Sequence, residues 1–425
     1  MAVANMLARL AKPSAIVIIS ALLLGIALGA LLGQSVPDTA QALVPYVEPI
    51  GGLWLSGLQM TIIPLLVALL VTGINAAADA AKAGAVATRA VISFVVLLAL
   101  SATFAAIVMP LILEYFPSSD DARIALTASA GAEGSEATAV PDFANFIASI
   151  LPTNVVSAAA GNNILNLVAF STIFAFAITR LPEPSRAPLT AFFRSLGEAM
   201  LVVINWMLLL APIGVFALGY AVAVKTGLAA LGGLAHYVAA VSSIGILLTL
   251  IAYVFAFTVA RLRVGTYSRA VLAPQAVAIS TQSSLASLPA MLKASEAVGV
   301  PPERADVILP LAVALFRFTG PAMNLAVAIY VAHMFGITLD APTLAIGIGV
   351  ATMTSLASIS LPGSISFITA ISPIAVAMGV PIAPLAILVA VEQLPDIFRT
   401  LGNVTMDVAV TAAIDKSVSP EEQAP

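Results

Sequence analysis

Residues Glu392–Asp407 read EQLPDIFRTLGNVTMD. Before them stands PIAPLAILVAV and after them VAVTAAI, both suited to a lipid interior. On a helix, Asp396, Arg399, Asn403 and Asp407 follow one another by 3, 4 and 4 positions. At about 100° per residue they share one narrow face. Glu392 joins that face one turn earlier, and Thr400 lies at its edge. A charge turned toward lipid costs about 2.5–3.5 kcal/mol, so four of them would nearly cancel the apolar gain of the whole helix. The face must therefore meet protein or a wet cavity. A solvated helix end before a polar tail is one reading. The apolar VAVTAAI beyond Asp407 favours the other, a functional site inside the membrane.

The composition agrees. The chain has 425 residues, of which 61% are hydrophobic and 9% charged, with a mean hydropathy of +1.09. Soluble domains carry about 25% charged residues. An all-α polytopic membrane protein is expected, with lipid as its main surroundings and no nucleic-acid partner. The net charge of −4 says little, because most of the surface faces lipid. The absence of cysteine excludes disulfides and thiolate metal sites, and two histidines, His236 and His333, exclude a histidine-rich metal centre. Arg9 and Lys12 precede an apolar run of about the 20 residues needed to span a bilayer, so the N-terminus reads as a first membrane helix.

Apolar spans are expected near 14–33, 43–75, 90–113, 151–179, 195–223, 234–260, 305–335 and 382–414. Two further stretches, 271–300 and 342–379, are apolar but broken by Ser, Gly and Pro, and each is long enough to enter and leave the membrane without crossing it. Arg9 and Lys12, Lys82 and Arg89, Arg180, Arg186 and Arg194, and Arg261, Arg263 and Arg269 fall on one side if each span crosses once. That side is expected to be cytoplasmic. The segment 114–142 has six acidic residues against Arg123 and reads as a mobile external loop.

The second half repeats itself. SLAS occurs at 284–287 and 355–358, Ser287-Leu288-Pro289 matches Ser360-Leu361-Pro362, AVGVP at 297–301 matches AMGVP at 377–381, and Phe316-Arg317 matches Phe398-Arg399. The order of broken segment, tip and helix thus occurs twice. An odd number of crossings between the copies makes it an inverted repeat, the arrangement that brackets transporter binding sites.

Each group on the polar face has a chemical task open to it. Arg399 offers a planar fork suited to a carboxylate. Asp396, one turn away, suits an ammonium, so the pair describes a site for an amino acid with a second carboxylate; a plain Asp396–Arg399 ion pair is the alternative. Asn403 and Asp407 provide hard oxygens for Na⁺, or Asp407 carries a proton. Ser283, Ser284, Ser287, Ser355, Ser358 and Ser360 lie at the tips of the broken segments, where freed backbone groups bind ions. Serines also cap helices and allow close packing.

At these residues the chain resembles the glutamate/aspartate transporter family, the dicarboxylate/amino acid:cation symporters. DIFRTLGNVTMD at 396–407 fits the family's final-helix pattern Asp-x-x-Arg-Thr-x-x-Asn-x-x-x-Asp. LPTN at 151–154 with GNNILNLVAFSTIFAFAIT, and APIGVFAL at 211–218, are similar to its fourth and fifth segments. QSSLASLP at 282–289 and SLPG at 360–363 resemble its two hairpin tips. The resemblance implies eight transmembrane helices plus two re-entrant hairpins, a homotrimer, and an elevator-type movement. It divides the chain into scaffold helices 1–2 (1–80), transport-domain helix 3 (81–113), the external loop (114–142), scaffold helices 4–5 (143–225), transport-domain helix 6 (226–264), hairpin 1 (265–302), helix 7 (303–337), hairpin 2 (338–380), and helix 8 with a cytoplasmic tail (381–425). By the same resemblance Asp396 holds a substrate ammonium and Arg399 its side-chain carboxylate. Thr400, Ser283, Ser284, Pro362 and Gly363 line the substrate. Asn403 serves substrate and cation, and Asp407, Ser355 and Ser358 serve Na⁺.

One departure stands out. The family carries Asn-Met-Asp-Gly-Thr in its seventh span; ungapped counting places Phe316-Arg317-Phe318-Thr319-Gly320 there. Sliding Asn324 onto that Asn needs an insertion of about two turns. The third span, where the family often has Tyr and Thr-Ser, is apolar at Val95–Ala102, and Glu392 replaces an Asp. Glu392, Asp396 and Asp407 sum to −3 when ionised; Arg399 leaves −2 and Arg317 leaves −1. Unpaired charge in a closed site is costly, so Arg317 is expected to act as a tethered cation, with fewer ions coupled. A second substrate carboxylate, or Glu392, are its alternative partners.

The expected function is a secondary active symporter in the cell (inner) membrane, with both termini cytoplasmic, taking up a small anionic solute with Na⁺ or H⁺ and no other cofactor. A C4-dicarboxylate or a neutral amino acid is the alternative substrate. No ATP-binding motif is visible. An intramembrane hydrolase is disfavoured, since three turns, roughly 16 Å, separate Asp396 from Asp407 and neither His is placed near a serine as base.

Overall fold

The computed structural model describes residues 15–82, 85–120, 123–124, 127, 151–161, 163–357 and 363–417. These form helices joined by turns, with no strand among the described residues. In chain order they are α1 Ala15–Ser35, α2 Pro37–Gln59, α3 Ile62–Lys82, α4 Ala85–Tyr115, α5 Val155–Ala160, α6 Ile164–Thr179, α7 Glu183–Leu209, α8 Ala211–Thr226, α9 Ala229–Thr258, α10 Val264–Thr281, α11 Ser284–Ala297, α12 Pro302–Leu315, α13 Thr319–Met334, α14 Ala341–Ala357, α15 Gly363–Ala377, α16 Leu385–Leu388 and α17 Gln393–Ser417. Most of the external acidic loop expected at 114–142 lies outside the described residues.

Six stretches of the described residues are long and apolar enough to cross a membrane: Val17–Ser35, Pro37–Asp79, Ala85–Tyr115, Glu183–Leu209, Leu231–Thr258 and Pro302–Met334. The segment α17 is not among them, because it carries Asp396, Arg399, Asp407, Asp415 and Lys416. Five of the expected spans are each two helices, among them 305–335 (α12 and α13) and 382–414 (α16 and α17). Span 43–75 breaks at Met60–Thr61 and span 195–223 at Leu210. The new helix has a proline in its opening turn in both cases, Pro64 and Pro212, where a missing N–H costs no helical bond. Span 151–179 is α5 followed by α6, and Asn154 of LPTN caps α5 by accepting from the amides of Val156 and Ser157.

Small residues let helices approach. In α1, Gly25, Gly29 and Gly33 recur every fourth position along α8, the spacing that lets membrane helices meet backbone to backbone. A Cβ on Gly29 would lie 2.5 Å from the Tyr220 carbonyl oxygen. Trp54 of α2 packs on Gly214 of α8 and donates to the Met207 carbonyl at 2.8 Å.

Both broken stretches are helical hairpins. At 1.5 Å per residue, α10 and α11 are about 27 and 21 Å long, and α14 and α15 about 25 and 22 Å, shorter than the ~30 Å hydrocarbon layer. The first hairpin turns at Gln282, in the left-handed region with φ 51°, and Ser283 caps α11. The tip of the second, 358–362, lies outside the described residues. The repeated AVGVP and AMGVP end their helices alike: Gly299 (φ 95°) and Gly379 (φ 69°) adopt positive φ. The amides of Val300 and Val380 then bond back to the carbonyls of Ser295 and Ala375 at 3.0 and 2.8 Å, a Schellman cap in each.

α17 lies against α9 to α12. Gly245 of α9 admits Phe398, and Tyr267 of α10 donates to the Thr405 carbonyl at 2.6 Å. One end of α17 is tied by Arg304 to Asp415 at 2.5 Å, by Lys416 to the Ala260 carbonyl at 2.7 Å, and by Arg89 to the Ser417 carbonyl at 2.6 Å. Arg89 and Arg261, expected on the same side of the membrane, sit together at this end. At another end of the fold, His236 Nε2 meets the Phe116 carbonyl at 2.8 Å.

Replacing Gly29 by Leu is expected to force α1 off α8 and to cost about 1–3 kcal/mol. Thermal unfolding of the detergent-purified protein checks this: an unchanged midpoint would contradict the backbone contact.

Candidate functional site

The site is built where two helices stop and restart. α12 ends at Leu315, Phe316–Phe318 are non-helical or terminal, and α13 begins at Thr319. The break, Phe316–Phe318, divides the single helix expected over 303–337 and lies within the five residues that ungapped counting set against the family's seventh-span motif; Asn324 lies inside α13. Residues 389–392 separate α16 from α17, so Glu392 precedes α17 rather than belonging to it. Broken helices expose backbone groups that must find partners. Asn403 of α17 supplies one: its Oδ1 accepts from the Thr319 amide and hydroxyl, both at 2.9 Å. The Thr319 hydroxyl is also 2.8 Å from the Arg399 carbonyl. The Asn403 oxygen is therefore committed to α13, and its amide nitrogen is not engaged there.

Arg399 is the hub. Nη2 donates to Glu392 Oε1 and Nη1 to Asn324 Oδ1, each at 2.5 Å. Nε lies 3.1 Å from Asp396 Oδ1 as an ion pair without hydrogen-bond alignment. All four side chains are buried. Tyr237 of α9 closes the far side, donating to Glu392 Oε2 at 2.9 Å. Glu392 thus pairs with Arg399, not with Arg317. Arg317 is half-buried in the α12–α13 break, with Asp396 and Arg399 among the charged groups that act on it. Glu392, Asp396, Arg399 and Arg317 together sum to zero.

Asp407 is different. It is fully buried, and neither carboxylate oxygen has a hydrogen-bond partner among the described residues. An ionised carboxylate in that state needs a cation or a proton. Ser355 Oγ is likewise buried and unpartnered, against Gly320 of α13. No contact joins Ser355 to Asp407 among those described. Thr400 spends its hydroxyl proton on the Asp396 carbonyl at 3.0 Å.

The first hairpin tip reaches the start of α17. Gln282 Nε2 donates to the Gln393 carbonyl at 3.0 Å, fixing the first tip at the start of α17. Ser283 Oγ accepts from the Ala286 amide as a helix cap, and Ser284 is the first residue of α11; both are partly exposed. Ser358, Ser360 and Pro362 lie outside the described residues, and Gly363 opens α15.

Three participants were not expected from sequence. Asn324 is a polar residue inside an apolar helix, a signal in itself. Tyr237 carries no local signal. Phe94 of α4 stacks on Phe316 with ring centroids 4.6 Å apart, and Phe318 lies 6.0 Å from Phe316. These rings fill the space beside the break where a polar pair was the family expectation.

A family model described as "Sodium:dicarboxylate symporter family" matches residues 16–417. The chain belongs to that family. Its membership bears out the resemblance read from DIFRTLGNVTMD, and the family is one of transporters. The chain is 27% identical over 407 residues to the proton/glutamate-aspartate symporter of Escherichia coli (strain K12), covering 94% of this chain and 91% of that one. It is 27% identical over 402 residues to a C4-dicarboxylate transport protein of Laribacter hongkongensis (91% and 86%). It is 26% identical over 380 residues to a proton/sodium-glutamate symport protein of Bacillus subtilis (88% and 87%). Relatives named for acidic amino acids and for C4-dicarboxylates are thus comparably similar to it.

Replacing Arg399 by Gln is expected to leave Glu392 and Asp396 buried without their shared cation and to destabilise the protein by about 3–5 kcal/mol. Adding Glu392→Gln to that variant should recover part of the loss. Unfolding midpoints of the two single variants and the double variant measure it, and simple additivity would contradict the shared network.

Proposed function

We propose that the chain is a secondary active symporter that takes up an acidic amino acid, aspartate or glutamate, with Na⁺ or H⁺. The observation that carries this reading is the buried Asp396–Arg399 pair one turn apart on α17, beside a fixed hairpin tip. Arg399 takes the solute's side-chain carboxylate by its fork, Asp396 takes the ammonium, and the Asn403 amide and the Ser283–Ser284 tip complete the cradle. Asp407, with both oxygens unpartnered, takes the cation or proton, and Ser355 beside Gly320 belongs to a second polar pocket. Arg317 supplies a tethered positive charge next to Asp396, where an apolar stack replaces further cation ligands. Eight crossings, two re-entrant hairpins, the division into scaffold and transport domains, a homotrimer, and an elevator movement in the inner membrane with cytoplasmic termini complete the proposal.

A specific observation favours a second reading. Asp396 already lies 3.1 Å from the Arg399 guanidinium, and the α12–α13 break adds a second cation, Arg317, to the same region. A C4-dicarboxylate, with Arg317 and Arg399 each taking a carboxylate, suits that arrangement.

Counterflow of radiolabelled aspartate, succinate and serine, each in turn, into proteoliposomes loaded with the same unlabelled solutes separates these. Exchange with aspartate preferred supports the first reading. Exchange of succinate alone supports the second, and exchange of none overturns both. Charge moved per solute should rise by about one in Arg317→Met if Arg317 replaces a coupled monovalent cation in a site that resists unpaired charge. An unchanged stoichiometry would remove that role.

A further inference from the structure

Arg399 is the group through which the proposed function binds a carboxylate, yet it is buried and both its terminal nitrogens already donate. A solute carboxylate that takes the fork competes for it with Glu392, Asn324 or Asp396. The three are not equivalent. Asn324 is neutral and loses one hydrogen bond. Asp396 keeps Arg317 within reach. Glu392 is buried, and Arg399 is its one cation partner among the described residues.

We propose that Glu392 occupies Arg399 as an internal stand-in for the solute's carboxylate, and that a proton bound by Glu392 accompanies each solute. This rests on the solute-binding reading above and adds the identity of a coupled ion and its residue. When the guanidinium passes to the solute, an ionised Glu392 would be left buried and alone, which costs several kcal/mol. Taking a proton from water onto Oε1 removes that penalty. The Arg399–Glu392 ion pair breaks, an Arg399–solute ion pair forms, and the buried charge stays at zero in both states. On solute release the proton returns to water and the internal pair re-forms. Binding of solute and of proton are then linked whichever comes first.

The surroundings fit a carboxyl group that changes state. Tyr237 on α9 donates to the ionised form through Oε2 at 2.9 Å, and its hydroxyl can turn to accept from the neutral one. On α13, Tyr330 meets Tyr237 edge to face with centroids 5.3 Å apart, and its hydroxyl lies 3.1 Å from both His236 Nδ1 and the Gly233 carbonyl. Partly exposed His236 stands between this pair and the end of α4. On Glu392's own segment the charged neighbours are Asp396 and Arg399; across the break stands Arg317. Asp407 lies three turns further along α17.

The test uses the full protein in proteoliposomes. Counterflow first establishes which labelled solute is exchanged, and its failure would count against the transport reading itself. The half-saturating concentration of that solute is then measured between about pH 5.5 and 8.5. Wild type should weaken by up to about tenfold per pH unit on the alkaline side, the limit for one linked proton. Glu392→Gln, which mimics the protonated carboxyl, should lose that dependence. Tyr237→Phe removes a hydrogen bond that favours the ionised form, so it should keep the dependence but move its midpoint to higher pH. A wild type that exchanges solute with no pH dependence would overturn the proposal. So would a Glu392→Gln protein that keeps the wild-type profile, or, where that variant does not fold, an unmoved midpoint in Tyr237→Phe.

Discussion

The arrangement depends on one buried cation. A guanidinium at membrane depth must be paired, and Arg399 is paired three times over, by Glu392 from the break before α17, by Asp396 on its own helix and by Asn324 on α13. Those contacts join two interrupted helices to each other, and Tyr237 adds α9. Burial of this kind rarely adds net stability against an apolar alternative, but removal of one partner is heavily penalised. In the proposed function the network acts as a lock that another carboxylate opens by taking the vacated place.

Around it the helices are placed by small residues and by caps. Gly25, Gly29 and Gly33 hold α1 to α8, and Gly245 lets α9 close on α17 at Phe398. The matched glycine caps at Gly299 and Gly379 end a hairpin in each half of the repeat. The two halves then diverge in use. Phe398-Arg399 lies within the opening turns of a continuous α17, whereas Phe316-Arg317 forms the break itself. In the proposed function the same dipeptide serves as solute anchor in one copy and as a resident counter-charge in the other.

Much of the site was legible in the sequence because a helix converts spacing into a face. Asp396, Arg399, Thr400, Asn403 and Asp407 are all buried on α17, as their intervals required. The repeat was visible as strings, whereas the α12–α13 break falls inside what reads as one span, 305–335. What stayed hidden is tertiary. Tyr237 lies 155 residues from Glu392, and no local pattern announces such a pairing. Asn324 was read only as a candidate for a slipped alignment, although an amide in a helix buried on every side already asks for a partner. The commitment of the Asn403 oxygen to Thr319 depends on how two helix ends meet. The second and fifth spans were read as single helices because hydropathy averages across a proline-marked restart.

The most direct measurement is an experimental structure with the transported solute bound. The account predicts the solute's carboxylate on the Arg399 guanidinium, Glu392 released from it toward Tyr237, and Asn403 still bonded to Thr319. A solute bound elsewhere, with the Arg399–Glu392 pair intact, would contradict it.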